Sequence, residues 1–121
     1  MRQTKVLGNS GEELVARYVQ DQGYLLLALN YRSSYGEIDL IARKGQVIVC
    51  IEVKTRKTEH FSIASVVTLS KQKKIIKTAK LYLLRSDLAT SEAVCRFDVA
   101  TVLKNDAVTE IKYIENAFFG E

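Results

Sequence analysis

The sequence of 121 residues has no proline, no tryptophan and a single histidine, His60. One histidine disfavours zinc sites built from several cysteine and histidine ligands, and it disfavours catalytic triads that depend on a histidine base. Cysteine is also scarce: Cys50 and Cys95 both lie in apolar stretches. We therefore expect two buried thiols in a reducing compartment, not a disulfide framework.

Long apolar runs are missing too, since no stretch approaches the roughly 20 apolar residues of a membrane-spanning helix. Residues 1–8 have no apolar run behind their charges, so no signal peptide is expected. The hydrophobic fraction of 47% and the charged fraction of 26% are typical of one globular domain, here residues 1–121. We expect a cytoplasmic protein with no membrane partner.

Basic charge is concentrated in the middle of the chain. The net charge of +4 arises from 18 basic and 14 acidic side chains, yet residues 43–85 contain 11 basic and only two acidic ones. Such a block attracts polyanions through phosphate contacts and counterion release. A solvated lysine face on a helix explains the same pattern, so charge alone leaves both interpretations open.

The hydrophobic pattern predicts elements in the order αβββαββ. Ser10 and Glu13 match a capping box, and Gly23 is placed to end the first helix. The predicted helices cover 10–22 and 68–84, and the predicted strands cover 24–29, 37–42, 47–54, 94–103 and 108–114. The third strand, the long helix and the fourth strand form a right-handed βαβ crossover. The expected fold is α/β, with a mixed central sheet flanked by helices.

Four charged side chains are predicted on one face of the central hairpin. With Lys44 and Gly45 as a two-residue turn, residue numbers across the ladder sum to about 89, and Glu37, Asp39, Glu52 and Lys54 share a face. Asp39 and Glu52 are then diagonal neighbours, whose carboxylates can converge on one divalent cation such as Mg²⁺. An ion pair of Lys54 with Glu52 or Glu37 at a strand end is the alternative.

Further polar side chains are candidates for the same site. Glu12 is a third possible metal ligand, or a favourable charge at a helix N-terminus. Lys71 and Gln72 reach toward the site from the long helix, unless Lys71 only extends along the helix edge into water. The remaining candidates are basic or polar side chains suited to phosphate contacts, with a solvated surface as the alternative: Arg32, Thr55, Arg56, Lys57 and Lys74.

Two strand motifs at fixed separation, residues 36–42 and 51–56, resemble the signature of the YraN-like uncharacterised protein family of bacteria. Flanking matches follow in order at residues 11–12, 23–24, 30–32, 71–72, 96–99 and 115–118, so the resemblance covers almost the whole chain. That family resembles the restriction-endonuclease-like PD-(D/E)xK nucleases, and among them the archaeal Holliday junction resolvases.

The resemblance implies a restriction-endonuclease-like αβββαβ core and assigns roles to particular residues. Asp39 and Glu52 match the metal-binding acids, Lys54 matches the catalytic lysine, and Glu12 matches a helix-borne acid of the resolvases. Glu37 and Gln72 are accessory candidates. We therefore expect a Mg²⁺- or Mn²⁺-dependent endonuclease acting on DNA, including branched DNA, for which a homodimer would suit paired cuts. A non-catalytic nucleic-acid-binding or interaction domain on a nuclease fold is the alternative.

Overall fold

The computed structural model of this protein describes residues 9–59, 62 and 66–120. The elements, in chain order, are α1 (Gly11–Asp21), β1 (Leu25–Arg32), β2 (Glu37–Lys44), β3 (Val47–Arg56), α2 (Leu69–Arg85), β4 (Val94–Lys104) and β5 (Thr109–Phe118). The expectations for residues 1–8 and for His60 lie outside the described residues.

The strands form a five-stranded sheet in the order β1-β2-β3-β4-β5. Neighbouring strands are antiparallel except for β3 and β4, which run parallel and are joined through α2. A parallel pair needs such a crossover because a tight turn can join only antiparallel strands. The predicted α/β fold is confirmed, and it is consistent with a restriction-endonuclease-like core.

The two helices pack on opposite faces of the sheet. Successive side chains of a strand point to opposite sides, so each face has its own set of apolar side chains for a helix to cover. Val15 and Val19 of α1 pack in one cluster with Val49 and Ile51. Ile75 of α2 belongs to a second cluster on the other face, together with Ile48, Cys50, Phe97 and Val99. The architecture therefore has three layers, helix, sheet and helix, with one apolar core on each side.

Both helices begin at the predicted capping residues. The Ser10 hydroxyl accepts a hydrogen bond from the Glu13 backbone N–H at 3.2 Å and donates to the Glu13 carboxylate at 2.8 Å. Thr68, the first residue of the second predicted helix, caps α2, since its hydroxyl accepts from the Lys71 N–H. No helix within the described ranges is long and apolar enough to cross a membrane.

All five strands extend beyond their predicted ends, β1 and β5 the furthest. The segment predicted as a polar loop from residue 30 begins inside β1, where Tyr31 pairs with Ile38 and Arg32 pairs with Glu37. The Tyr31 ring also packs edge-on against Tyr82 of α2, 4.9 Å away, which explains why a polar-looking segment joins the sheet. β5 continues to Phe118, which pairs with Phe97 of β4.

The predicted register of the β2–β3 hairpin is wrong by two residues. Lys44 pairs with Val47 and Leu40 pairs with Ile51, so the two-residue loop is Gly45 and Gln46. Gly45 has φ of +61°, and glycine is favoured at the first central position of a type II′ hairpin turn. A shift of two keeps every side chain on its predicted face. It also brings Asp39 level with Glu52, closer than the predicted diagonal.

A buried ionic network ties β4 to its neighbours. The Asp98 carboxylate is fully buried and accepts hydrogen bonds from the Arg96 guanidinium, from the Tyr113 hydroxyl at 2.5 Å and from the Asn116 N–H at 3.0 Å. Arg96 donates also to the Tyr24 hydroxyl. With its lone pairs taken by these donors, this carboxylate is a structural element of the fold.

Candidate metal and nucleic-acid site

The site is built where β2 and β3 separate. The backbone pairing of the two strands ends at Leu40 and Ile51. Asp39 and Glu52 are the next residues of each strand, on the side away from the turn. Beyond that point the Val53 N–H donates to the Asp39 carboxylate at 2.8 Å. The Asp39 side chain thus replaces a backbone acceptor, which fixes its orientation between the two strands.

Glu52 is the most deeply placed acid of the site, with only 5% of its surface exposed. Its carboxylate accepts a salt bridge from the Lys71 ammonium at 2.9 Å. Burial, followed by the hydrogen bond and the negative charge of Asp39, raises the pKa of Glu52 from 4.5 to about 8, although Lys71 acts in the opposite direction. In a metal-free site, the Glu52 carboxyl group therefore retains its proton near neutral pH.

Glu12 approaches the same acids from the first turn of α1. Burial raises the pKa of its carboxyl group, and the charges of Asp39, Glu37 and Glu13 raise it further. The charge of Asp39 acts on Glu12 because α1 begins against the end of β3. There a Cβ atom on Gly11 would lie only 1.8 Å from the Thr55 hydroxyl oxygen. The glycine allows α1 to approach closely enough to place Glu12 near the acids.

The predicted ion-pair alternative for Lys54 is not what the structure contains. Within the described part of the chain, Glu52 pairs with Lys71 and Glu37 pairs with Arg32 at 3.2 Å. Lys54 lies two residues after Glu52 on β3 and is half-buried. The Lys71 ammonium extends from α2 to Glu52, so its charge is directed at the acid and not only at water, while its role in nucleic-acid binding stays a prediction.

The acid pair suits a hard cation. Among the described residues, no three carboxylate, histidine or cysteine side chains converge as a metal-holding group. Mg²⁺ needs fewer protein ligands than that, because it binds through one or two carboxylates and completes its shell with water and phosphate oxygens. Asp39 and Glu52 supply two carboxylates, and burial, followed by the hydrogen bond and the charge of Asp39, raises the pKa of Glu52. They fit such an ion, with Glu12 near enough to contribute charge.

Two grooves contain most of the predicted phosphate contacts. The first, which we call the helix groove, has a volume of about 320 Å³ and is lined by Gly36, Glu37, Thr68, Ser70, Lys71, Lys74 and Ile75. Lys71 belongs both to this groove and to the salt bridge with Glu52, so the groove opens directly beside the acid pair. Exposed Lys74 is the second cation of the groove.

The second groove, the turn groove, lies at the end of β3 and has a volume of about 390 Å³. It is lined by Thr55, Arg56, Lys57, Lys104, Asn105 and Asp106. The Asn105 side chain donates to the Lys57 carbonyl at 2.7 Å and thereby joins the β4–β5 turn to the chain beyond β3. Of the predicted phosphate contacts, Lys71 and Lys74 line the helix groove, Thr55, Arg56 and Lys57 line the turn groove, and Arg32 lines neither.

Some candidates lie apart from the acid pair. The Gln72 amide donates to the Val67 carbonyl at 3.3 Å, which holds it to the segment before α2. Arg32 is occupied by Glu37, and both side chains are largely exposed.

Sequence reasoning missed Lys104 and Asn105, which were assigned only to a turn. The feature that could have revealed them is the parallel pairing of β3 with β4. This pairing aligns Arg56 with Leu103 and so brings the following turn beside Lys57.

Comparison with known proteins identifies the family of this chain. The model of the Uncharacterised protein family UPF0102 matches residues 11–102, which include both acids, Lys54 and Lys71. The chain belongs to the UPF0102 family. A UPF0102 protein of Lachnoclostridium phytofermentans is 44% identical over 115 residues, with 94% of this chain and 93% of the relative covered.

Other UPF0102 relatives match over similar lengths. A UPF0102 protein of Alkaliphilus metalliredigens is 39% identical, with 95% of this chain and 99% of the relative covered. One of Vibrio parahaemolyticus is 42% identical, with 92% of this chain and 90% of the relative covered. These matches confirm the family predicted from the strand motifs, and each alignment covers at least 90% of the relative.

Proposed function

We propose that this UPF0102 protein is a Mg²⁺- or Mn²⁺-dependent nuclease that hydrolyses phosphodiester bonds in DNA. The observation that carries the proposal is the pairing of Asp39 with Glu52 at the point where β2 and β3 separate. Burial of Glu52, followed by the hydrogen bond and the charge of Asp39, raises its pKa to about 8. A divalent cation bound by the two carboxylates would offset both the burial and the charge of the neighbouring acid.

Asp39 and Glu52 would hold the cation in this proposal, and Glu12 would add negative charge beside it. When bound, the cation supplies Lewis-acid polarisation of the scissile phosphate. The Asp39 carboxylate is oriented by the Val53 N–H, and the Glu52 carboxylate is oriented by the Lys71 ammonium. Each metal-binding group therefore has a partner that fixes its direction, as outer-shell partners commonly do in metal sites.

Lys54 is the proposed catalytic lysine. Its ammonium can donate a hydrogen bond to the attacking water or to the phosphate oxygen on which charge develops. Lys71 and Lys74 on one side, and Arg56 and Lys57 on the other, would contact the phosphates that flank the scissile bond. Contacts of this kind position a nucleic acid without reading its sequence.

The test is cleavage of labelled linear duplex, single-stranded, flap and four-way-junction DNA with Mg²⁺, with Mn²⁺ and with chelator. We expect Asp39→Ala, Glu52→Ala and Lys54→Ala to lower metal-dependent cutting by at least about 100-fold. Asp39→Ala also leaves the Val53 N–H without its acceptor, so Asp39→Asn is the second variant, which keeps an acceptor oxygen and loses the charge.

The controls are Glu92→Ala and Lys112→Ala, which change an exposed acid and an exposed lysine outside the site. Both are expected to cut as fast as the unaltered protein. Cutting that survives in Asp39→Asn, Glu52→Ala and Lys54→Ala alike, or that continues in chelator, contradicts the mechanism.

A non-catalytic nucleic-acid-binding domain is the second candidate, and one observation favours it. Lys71 already neutralises Glu52, as expected of a site that needs no metal ion. This candidate predicts DNA binding that is indifferent to Mg²⁺ and unchanged in Asp39→Asn, with no cutting of any substrate. Binding and cleavage measured on the same variants separate the two functions.

A further inference from the structure

The loop between β1 and β2 presents one exposed aromatic ring next to the helix groove. Tyr35 is 50% exposed, whereas the other five tyrosines, all within the described residues, are at least partly buried. All five pack against another aromatic ring or a guanidinium group: Tyr18 against Tyr113, Tyr31 against Tyr82, and Tyr24 against Arg96. Tyr35 makes no aromatic pair among the described residues, and half of its surface is open to solvent.

The loop that carries Tyr35 is fixed to α2. The Ser33 N–H donates to the Gly36 carbonyl at 2.8 Å, and the Ser33 hydroxyl accepts from the Tyr35 N–H at 3.1 Å. The same hydroxyl lies 3.0 Å from the hydroxyl of Thr78, a fully buried residue of α2. A ring held in this way loses little further conformational entropy when a flat ligand covers it.

Two lysines of α2 lie on the side of the Tyr35 loop. The Lys77 ammonium lies 5.7 Å from the centroid of the Tyr35 ring, and Lys74 lies one turn earlier on α2 in the helix groove. The next residue after Tyr35, Gly36, lines that groove, and a Cβ atom there would lie 3.3 Å from the Lys74 Cβ. The ring, the groove and the Lys71–Glu52 salt bridge are therefore connected in one path toward the acid pair.

We infer that Tyr35 is a stacking platform for an unpaired nucleobase, with the flanking phosphates on Lys74 and Lys77. This inference rests on the proposed nuclease function and names its substrate class: DNA with an unstacked nucleotide next to the cut, such as a single strand or a flap. A continuous duplex offers no free base face to the ring, because its bases stack on one another. A lysine-flanked aromatic ring is the combination used in single-strand binding, where stacking is independent of base identity.

The test separates binding from cutting. Affinities for a single-stranded oligonucleotide and a blunt duplex of equal charge are measured in chelator, where no metal-dependent cutting occurs. We expect Tyr35→Ala to weaken single-strand binding by about 5- to 150-fold and to leave duplex binding unchanged. Tyr35→Phe keeps the ring and is expected to bind as the unaltered protein does.

A spectroscopic readout and a matched control complete the experiment. Emission of 2-aminopurine in the single strand is expected to be quenched by stacking with the unaltered protein and with Tyr35→Phe, and restored with Tyr35→Ala. Phe119→Ala removes a ring that is 76% exposed beyond the end of β5 and is expected to change neither measurement. Thermal melting of each variant verifies that the fold is retained.

Each outcome decides a different question. Equal single-strand affinity of Tyr35→Ala and the unaltered protein overturns the stacking inference, whether or not the protein cuts DNA. A loss of affinity in Tyr35→Phe as large as in Tyr35→Ala overturns it as well, because the hydroxyl and not the ring face would then be responsible. Failure to cut any substrate with metal present overturns the nuclease proposal alone, since the binding data are collected in chelator.

Discussion

At the scale of single residues, the site shows how far side-chain chemistry can be predicted from spacing. Asp39, Glu52 and Lys54 follow from strand periodicity together with the family motifs, because a period of two places them on one face. The partner of Glu52 does not follow from spacing. Lys71 is far away along the chain and reaches Glu52 only because α2 crosses the sheet with its first turn beside the end of β3. Local patterns do not contain that geometry.

The raised pKa of Glu52 predicts a pH dependence of stability in the metal-free protein. A carboxyl group that binds its proton more tightly when folded contributes stability that is complete below its ordinary pKa of 4.5 and is lost as pH rises through about 8. We expect the free energy of unfolding in chelator to fall as pH rises across this range. Its slope against pH corresponds to a difference of at most about one bound proton between the folded and unfolded states. Urea denaturation at a series of pH values measures it.

Glu52→Gln removes the titrating group and keeps an oxygen acceptor for Lys71. Its unfolding free energy is expected to depend less on pH between 4.5 and 8 than that of the unaltered protein. Glu92→Gln changes an exposed loop residue and serves as the matched control. An identical pH profile for Glu52→Gln and the unaltered protein would show that Glu52 titrates normally.

At the scale of elements, the strands and helices were predictable in type and order, and their ends and pairings less so. The hairpin register depends on which residues form the two-residue loop, and the positive φ of Gly45 decides that. The extension of β1 through Tyr31 depends on the contact with Tyr82, a residue of a later helix. Boundaries set by tertiary contacts cannot be predicted from local pattern alone.

The start of α1 provides a prediction at this scale. Alanine is ordinarily favoured over glycine in helices by about 1 kcal/mol. At position 11, however, the added Cβ would lie 1.8 Å from the Thr55 hydroxyl oxygen and 3.2 Å from the Thr55 Cβ. We expect Gly11→Ala to lower the free energy of unfolding by about 1–3 kcal/mol, measured by urea denaturation.

Thr55→Ala removes the hydroxyl group and the methyl group that the Cβ introduced by Gly11→Ala would meet. In a double-mutant cycle, the combined variant is expected to recover most of the stability that Gly11→Ala loses. The Thr55→Ala single variant is the control for the loss of the threonine itself. Simple additivity of the two changes would show that the contact between α1 and β3 is loose.

At the scale of the whole molecule, the charge asymmetry of the sequence becomes a spatial one. The exposed lysines of α2 lie on one side of the sheet: Lys71, Lys73, Lys74, Lys77 and Lys80. The first turn of α1, on the other side, carries Glu12 and Glu13. Sequence counts predicted the basic block but not its division into the helix groove and the turn groove. That division depends on the position of the β4–β5 turn beside Lys57.

Two grooves predict two sets of phosphate contacts. The slope of log affinity against log salt concentration falls by about 0.7 for each phosphate contact that is lost to single-stranded DNA. We expect Lys74→Ala in the helix groove and Lys57→Ala in the turn groove each to reduce the slope by about that amount. Fluorescence anisotropy titrations at several salt concentrations measure it.

Lys112→Ala is the matched control for these variants, because Lys112 is exposed on β5 outside both grooves. Its slope is expected to equal that of the unaltered protein. The same decrease in all three variants would mean that general surface charge, and not the two grooves, binds the nucleic acid.

The two-residue turn between β2 and β3 has a consequence for the order of folding. Asp39 and Glu52 are brought together by closing a short hairpin, which costs little loop entropy. Lys71 belongs to a later segment and reaches Glu52 only after α2, which connects β3 to β4, has packed on the sheet. During synthesis the two acids therefore leave the ribosome before the lysine that neutralises one of them. Until α2 docks, the two acids of the newly formed hairpin lack the Lys71 ammonium, and only water, protons and ions from the surrounding solution can balance their charge.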